Sequence, residues 1–135
     1  MTEADVLGAA RRWAEGWRAA WRAHDVELLR PLYAEDVVFR SQPFRDPQAP
    51  SAYAAWAFQD EAEARVWFAE PQVVGGDRAA VEYWGVSIHR HGTTETIAGV
   101  ALLRFGPDGR VVEQRDYLNS ADGALEPYEG WEPAG

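Results

Sequence analysis

Apolar side chains recur at helical spacing through the first part of the chain. Trp13, Trp17 and Trp21 are four residues apart, so they lie along one face of a helix, and alanines widen the same stripe. Thr2 carries a hydroxyl group that can cap the start of this helix. The pattern predicts one long helix over residues 3–23 that buries its tryptophan face.

Two shorter helices are predicted after the first one. Asp25 can cap a helix over residues 26–33, and the proline within it should shorten or kink that helix, since proline donates no backbone hydrogen bond. Ser51 can cap a third helix over residues 52–59, which carries three aromatic side chains.

Later in the chain, the pattern changes to strands separated by turns. The sequences Gly-Gly-Asp at residues 75–77 and Gly-Pro-Asp-Gly at residues 106–109 are typical of tight turns. Strands are predicted over residues 37–40, 64–74, 78–89, 94–105 and 110–119. Turns between consecutive strands favour an antiparallel meander.

The order of the elements indicates the fold class. Helices followed by strands are typical of α+β proteins, and 135 residues suffice for one domain with its own core. We assign residues 1–120 to this domain and residues 121–135 to an acidic C-terminal tail, whose Tyr128 and Trp131 can dock onto the domain. The chain has 7 tryptophans, and because this side chain is rarely buried completely, some of them should line a cavity.

Composition excludes several partners and reactions. The net charge is −9, from 22 acidic and 13 basic residues, and such a surface repels nucleic acid and anionic lipid. The absence of cysteine excludes disulfides and thiolate metal sites, and the absence of lysine excludes Schiff-base chemistry. Since the first residues show no apolar signal segment, we expect a cytoplasmic protein with no nucleic-acid or membrane partner.

Two segments carry a resemblance to a known family. WRAHDVELLRPLYAEDVVF, at residues 21–39, resembles the opening of the NTF2-like superfamily, and LLRFGPDGRVVEQRDYL, at residues 102–118, resembles its closing hairpin. The superfamily includes SnoaL-like cyclases, ketosteroid isomerases and limonene-epoxide-hydrolase-like proteins. The resemblance implies a cone in which three N-terminal helices pack on a curved, mostly antiparallel sheet and enclose a pocket.

The functional positions of those relatives are only partly kept. Those of ketosteroid isomerases fall at Trp17, Ser41 and Ala101, so the resemblance implies that their mechanism of isomerisation is absent. RDYLN at residues 115–119 is similar to a hydrolase motif whose aspartate positions the attacking water, and that residue is Asp116. SnoaL-like cyclases also place an acid–base aspartate on this strand. The other hydrolase positions fall at Phe39, Ser41, Glu82 and Trp84.

Two acidic residues are the candidates for catalysis. Asp116 shares a strand face with Gln114 and Leu118, and the resemblance places this face inside the pocket, where lost hydration would raise its pKa. Glu82 is a lone acid among apolar neighbours, and two carboxylates in one cavity can share a proton. We predict Asp116 as the principal acid and base, with Glu82 as its partner and with no metal ion or cofactor.

The predicted pocket is mainly aromatic. Its wall and polar residues are predicted to be Trp17, Phe39, Ser41, Tyr53, Trp56, Trp84, Leu103, Gln114 and Leu118. Ser41 and Tyr53 can donate hydrogen bonds to a bound carbonyl group. His89 and His91 are interpreted as part of an exposed loop instead of a metal site.

Two functions stay open at this point. One is an enzyme that binds a small hydrophobic molecule and acts as an isomerase, cyclase, dehydratase or hydrolase without a cofactor. The other is a module that holds a ligand without chemistry, or that forms a homodimer through the convex face of the sheet. An exposed Trp67 or Tyr83 would mark such an interface.

Overall fold

The computed structural model describes residues 1–131, which form three helices packed against a six-stranded sheet. In chain order, the elements are α1 (Glu3–Ala23), a 3-10 helix (Val26–Leu32), β1 (Tyr33–Arg40), α2 (Pro50–Phe58), β2 (Glu61–Phe68), β3 (Gln72–Gly75), β4 (Arg78–His89), β5 (Thr94–Phe105) and β6 (Val111–Asp122). The predicted α+β class is confirmed.

The long helix α1 has the predicted bounds and the predicted cap. Thr2 Oγ1 accepts a hydrogen bond from the Asp5 amide at 3.1 Å, and the Asp5 carboxylate accepts one from the Thr2 amide at 2.9 Å. These bonds hold the pKa of Asp5 below its ordinary value. The helix ends at His24, whose φ of 54° reverses the chain. Its buried face consists of Val6, Ala9, Ala10, Trp13, Ala14, Trp17, Ala20 and Trp21.

The two short helices differ from their predicted form. The segment Val26–Leu32 is a 3-10 helix that Asp25 caps as expected, and Pro31 lies inside it, where its missing N–H prevents a full α-helical turn. The helix α2 begins at Pro50 instead of residue 52, and Ser51 does not cap it. Proline has a φ angle suited to the first helical position, so it sets this start without a side-chain cap.

The sheet has the strand order β1-β6-β5-β4-β2, with β3 also paired to β4. Strands β4, β5 and β6 form the predicted antiparallel meander, whereas β1 pairs with β6 in parallel. The single strand predicted over residues 64–74 is two strands, β2 and β3, with Pro71 between them. The result is a curved, mixed sheet that does not close into a barrel.

The concave face of the sheet packs against α1, while the convex face packs against residues that follow β6. Residues 123–131, called the C-terminal segment below, cross the convex face. The Trp84 indole donates to the carbonyl of Leu125 at 2.7 Å, and the rings of Tyr128 and Trp131 pack edge-on against Trp84. The predicted tail over residues 121–135 therefore begins inside β6, and its last four residues lie outside the described part of the chain.

None of the helices within residues 1–131 is long and apolar enough to cross a bilayer.

Candidate functional site

A cavity of about 580 Å³ lies between α1, α2 and the concave face of the sheet. Eight aromatic residues contribute to its wall, and Arg45 also lines it with its guanidinium over the ring of Trp56, 5.3 Å from the centroid. Its aromatic lining residues are Trp13, Trp17, Trp21, Tyr53, Trp56, Phe58, Phe68 and Tyr83.

Asp116 is one of two carboxylates buried in this cavity, and only 7% of its surface is exposed. The Tyr83 hydroxyl donates to its Oδ2 at 2.9 Å, and the Gln114 amide donates to its Oδ1 at 2.9 Å. Burial raises the pKa of Asp116 to about 7, against the lowering effect of these two hydrogen bonds. Close to neutral pH, Asp116 therefore exists in both protonation states, which is what a proton-transferring group requires.

A chain of hydrogen bonds holds Gln114, which in turn orients Asp116. The carbonyl oxygen of Gln114 accepts hydrogen bonds from the Tyr33 hydroxyl and, at 3.0 Å, from the Trp13 indole. The Trp17 indole in turn donates to the Tyr33 oxygen at 2.7 Å. Because the amide of Gln114 is held at its oxygen end, its N–H group must point at Asp116. The tryptophan face of α1 thus orients the carboxylate as well as closing the core.

Two hydroxyl groups face the same cavity. Tyr53 lines it, and among residues 1–131 its hydroxyl has no hydrogen-bond partner. Burial and the nearby charge of Asp116 raise the pKa of Tyr53 to about 12, so the hydroxyl keeps its proton. Ser41 Oγ accepts from Arg45 at 3.1 Å, which leaves its own O–H free to donate. Both groups can donate to a carbonyl oxygen.

The structure brings most of the predicted site residues into one place. The residues that line the cavity are Trp17, Ser41, Tyr53, Trp56, Asp116 and Leu118. Phe39, Leu103 and Gln114 lie behind its wall, where each is at most 2% exposed. Phe39 packs against Tyr53 with ring centroids 5.4 Å apart, so it supports the wall without reaching the cavity.

Glu82 and Trp84 lie on the opposite face of the sheet from Asp116. Side chains alternate along a strand, and because Tyr83 points at Asp116, its neighbours Glu82 and Trp84 point away. The two predicted carboxylates therefore do not converge. The apolar spacing around Glu82 suggested an inward face, but the C-terminal segment covers that side of β4 and accounts for its apolar character.

A second group of polar residues was not predicted, and three of its members, Trp21, Glu61 and Ser87, line the same cavity. Glu61 is 2% exposed and accepts hydrogen bonds from the Trp21 indole at 3.1 Å and from the Ser87 hydroxyl. His24 Nε2 lies 2.8 Å from Glu61 Oε1. We call Glu61, Ser87, Trp21 and His24 the Glu61 cluster. These residues are far apart in the sequence, so no local motif identifies them. The one sequence signal is that Ser87 lies four residues after Tyr83 on β4 and therefore shares its strand face.

Tyr83 is also a site residue that the sequence did not identify. It was predicted as a candidate for an exposed interface on the convex face, but it is 5% exposed and bonded to Asp116 on the concave face. Trp67 pairs with Trp84 on the convex side, half-buried beneath Arg65.

Within residues 1–131, no group of three or more histidine, aspartate or glutamate side chains is arranged to hold a metal ion. His89 and His91 both line the mouth of the cavity.

The fold and the cavity define an α+β protein with an enclosed acidic group in an aromatic pocket. Residues 14–114 match the SnoaL-like domain family, so the chain belongs to this family. The predicted relationship is thereby confirmed. No curated protein is significantly similar to the chain in sequence.

Solved structures of the NTF2-like fold superpose on most of the chain. The Δ5-3-ketosteroid isomerase from Mycobacterium sp. is 18% identical, with a TM-score of 0.62 over 87% of this chain and 98% of the isomerase. Rv0760c from Mycobacterium tuberculosis, in complex with estradiol-17beta-hemisuccinate, is 22% identical, with a TM-score of 0.66 over 87% of this chain and 98% of that one.

A third similar structure is SalBIII, an epoxide hydrolase/cyclase-like enzyme of pyran ring formation in the polyether salinomycin. It is 17% identical, with a TM-score of 0.67 over 83% of this chain and 91% of SalBIII. At these identities, the three likenesses establish the fold alone.

Proposed function

We propose that the protein binds a small, largely apolar carbonyl compound in the 580 Å³ cavity and moves a proton at a carbon next to the carbonyl group. Asp116 is the acid and base of this reaction. Isomerisation of an unsaturated ketone, aldol cyclisation and elimination of water from a β-hydroxy ketone can each begin with such a transfer. The proposal needs no cofactor, because the residues of this chain supply every group that it uses.

One observation carries the proposal: Asp116, a deeply buried carboxylate in the cavity, has a pKa of about 7. A general base works best when its pKa lies near the ambient pH, because it is then ionised often enough and still basic enough. An ordinary aspartate, with a pKa of 3.8, would be a far weaker base.

The surrounding residues suit each step. The Asp116 carboxylate accepts the proton from carbon, the electrons of the broken C–H bond form a carbon–carbon double bond, and the π electrons of the carbonyl group move onto its oxygen. The protonated Asp116 then returns the proton to a carbon of the resulting enolate, which restores the carbonyl group. The hydroxyls of Tyr53 and Ser41 can donate to the oxygen as its negative charge develops. Tyr83 and Gln114 hold the carboxylate in place.

The relatives agree with this class of reaction. One similar structure is named as a ketosteroid isomerase and another as an epoxide hydrolase/cyclase-like enzyme, while a third holds a steroid derivative. Ser41, Trp17 and Ala101 replace the functional residues of the isomerases, so the proposed base lies on a different strand from theirs.

The test is hydrogen exchange into apolar ketones. The protein is incubated in deuterated water with 2-tetralone and with testosterone, and NMR follows deuterium entering the positions next to the carbonyl group. Wild type should accelerate exchange, and Asp116→Asn should lower the rate by about 100-fold or more. The rate for wild type should rise with pH through about 7, as Asp116 becomes ionised.

Asp36→Asn is the matched control, because Asp36 is exposed on β1 and outside the cavity. It should exchange at the wild-type rate. Undiminished exchange in Asp116→Asn would show that another group is the base.

A second candidate function is ligand binding without chemistry. It is favoured by the hydrogen bonds that already occupy both oxygens of Asp116. Saturable binding of testosterone with no acceleration of exchange in wild type would support it.

A homodimer through the convex face and a cytoplasmic location also stay predictions.

A further inference from the structure

The cavity has two polar ends. Tyr83, which binds Asp116, and Ser87, which binds Glu61, lie on the same face of β4 and both line the cavity. They are four residues apart, which corresponds to about 13 Å along a strand. A ligand that reaches Asp116 with one end can therefore meet Ser87 with the other only if it is elongated.

The surface between these ends is apolar. The ring of Trp21 lies against the backbone of Gly85, midway between Tyr83 and Ser87. A Cβ atom at residue 85 would come within 2.2 Å of the Trp21 ring, so this close approach requires glycine. Phe68 and Ile97 add to the same wall. The middle of a ligand should accordingly be a rigid hydrocarbon.

The Glu61 cluster offers an acceptor to the cavity. The hydroxyl proton of Ser87 and the indole proton of Trp21 are both donated to Glu61, and His24 Nε2 contacts the same carboxylate. Both oxygens of Glu61 are occupied by these bonds, whereas the oxygen of Ser87 keeps its lone pairs and can accept a further hydrogen bond. A group that donates a hydrogen bond can bind to Ser87, whereas a carbonyl group finds no free donor on Ser87 or Trp21, since both protons are donated to Glu61.

The charge around this end disfavours anions. Asp60, Glu61 and Glu95 line the cavity together with the neutral imidazoles of His89 and His91, and Arg45, the arginine in the described lining, stacks on Trp56. A carboxylate or phosphate end group would meet net negative charge. A neutral hydroxyl group would not be repelled and could donate to Ser87.

We propose that Ser87 and Glu61 form a second subsite, which binds a hydroxyl group at the far end of an elongated apolar ketone. The inference rests on the proposed function, because both use the same cavity, and it narrows the substrate class to hydroxy-ketones with a rigid hydrocarbon between the two oxygens. Asp116 moves the proton next to the ketone group. Ser87, whose hydroxyl is bonded to Glu61, binds the hydroxyl group at the other end of the ligand.

The experiment compares three steroids that differ at one end. Testosterone carries a ketone and a distant hydroxyl group, its deoxy analogue lacks that hydroxyl, and testosterone hemisuccinate carries a carboxylate there. Affinity is measured by quenching of the intrinsic fluorescence, since tryptophans line the cavity. Wild type should bind testosterone about tenfold more tightly than the deoxy analogue, as one hydrogen bond to a polarised acceptor provides, and should bind the hemisuccinate least.

Two variants should remove this preference. Ser87→Ala should bind testosterone and the deoxy analogue within about twofold of each other, with the affinity for the deoxy analogue unchanged. Glu61→Gln should lower the preference as well and improve binding of the hemisuccinate, since it removes a charge and adds a donor. Glu82→Gln, the same change on the convex face, is the matched control and should behave as wild type.

The outcomes separate the two proposals. If wild type binds testosterone and its deoxy analogue equally, the second subsite is wrong, while the apolar cavity and its proposed chemistry stand. If Ser87→Ala weakens both ligands equally, Ser87 only shapes the cavity, and the subsite is again wrong. If no steroid binds and no ketone undergoes exchange, both proposals fail.

Discussion

At the scale of the residue, the environment of Asp116 separates it from every other acid in the described chain. Most of the 22 acidic residues are exposed, and Glu61, the other buried carboxylate, sits among polar partners. Asp116 instead has two hydrogen-bond donors and an aromatic cavity around it, and loss of hydration outweighs those bonds. The residue type was visible in the sequence, but the raised pKa follows from its surroundings.

The raised pKa predicts a specific dependence of stability on pH. The pKa of Asp116 is 3.8 in an ordinary environment and about 7 in the folded protein, so between these values the folded state holds the proton and the unfolded state does not. Its contribution to stability is therefore present at low pH and lost as pH rises through about 7. Between about pH 5 and about pH 8, this loss amounts to about 3 kcal/mol.

Asp116→Asn has no proton to lose, so the free energy of unfolding of wild type minus that of the variant should fall by this amount over the same range. Urea denaturation at both pH values measures it. Asp36→Asn, which changes an exposed aspartate outside the cavity in the same way, is the control. A constant difference for Asp116→Asn would show that the pKa is not raised.

At the scale of the element, tight contacts between α1 and β4 position the cavity wall. Trp21 near the end of α1 packs on Gly85 of β4 and bonds to Glu61 of β2, so one side chain ties three elements together. A long helix with a tryptophan face was predictable from spacing alone. The glycine that receives the ring was not, since a lone glycine in a strand has several structural explanations.

Gly85→Ala should therefore destabilise the protein by about 1–3 kcal/mol, because the added methyl group collides with the Trp21 ring, which its hydrogen bond to Glu61 holds in place. Gly8→Ala in α1 is the matched comparison. Its new methyl group would meet one atom of Arg12 at 3.9 Å, and it should stabilise the protein by about 0.5–1 kcal/mol. Equal effects of the two changes in urea denaturation would contradict this account.

At the scale of the whole molecule, the two faces of the sheet have different uses. The concave face holds the cavity, and the convex face carries a groove of about 830 Å³ bordered by the C-terminal segment. Several aromatic side chains around the groove stay exposed: Phe44 at 95%, Tyr117 at 45% and Tyr128 at 64%. A cluster of exposed aromatic side chains is typical of a surface that binds another protein.

We therefore keep the prediction that the chain forms a homodimer through this face. Light scattering should give twice the monomer mass for wild type, and Tyr117→Glu should give a monomer, since a charge on β6 cannot be buried without a partner. Val74→Glu, at an exposed position on β3, should stay dimeric. A wild-type protein that is monomeric at every concentration tested would contradict the prediction.

The sequence by itself determined the class of fold, and it predicted Asp116 as the candidate acid. The helical spacing of the tryptophans, the glycine- and proline-marked turns and the RDYL segment are local patterns, and each is set by the geometry of a single element. Tertiary structure decided which strand face looks inward. On β4, the apolar residues around Glu82 and Trp84 resemble a core face, but this face is convex and the C-terminal segment covers it. The opposite face, with Tyr83 and Ser87, lines the cavity. Only the packed structure also brings Glu61, Ser87 and His24 together, because residues far apart in the chain leave no periodic signal along it.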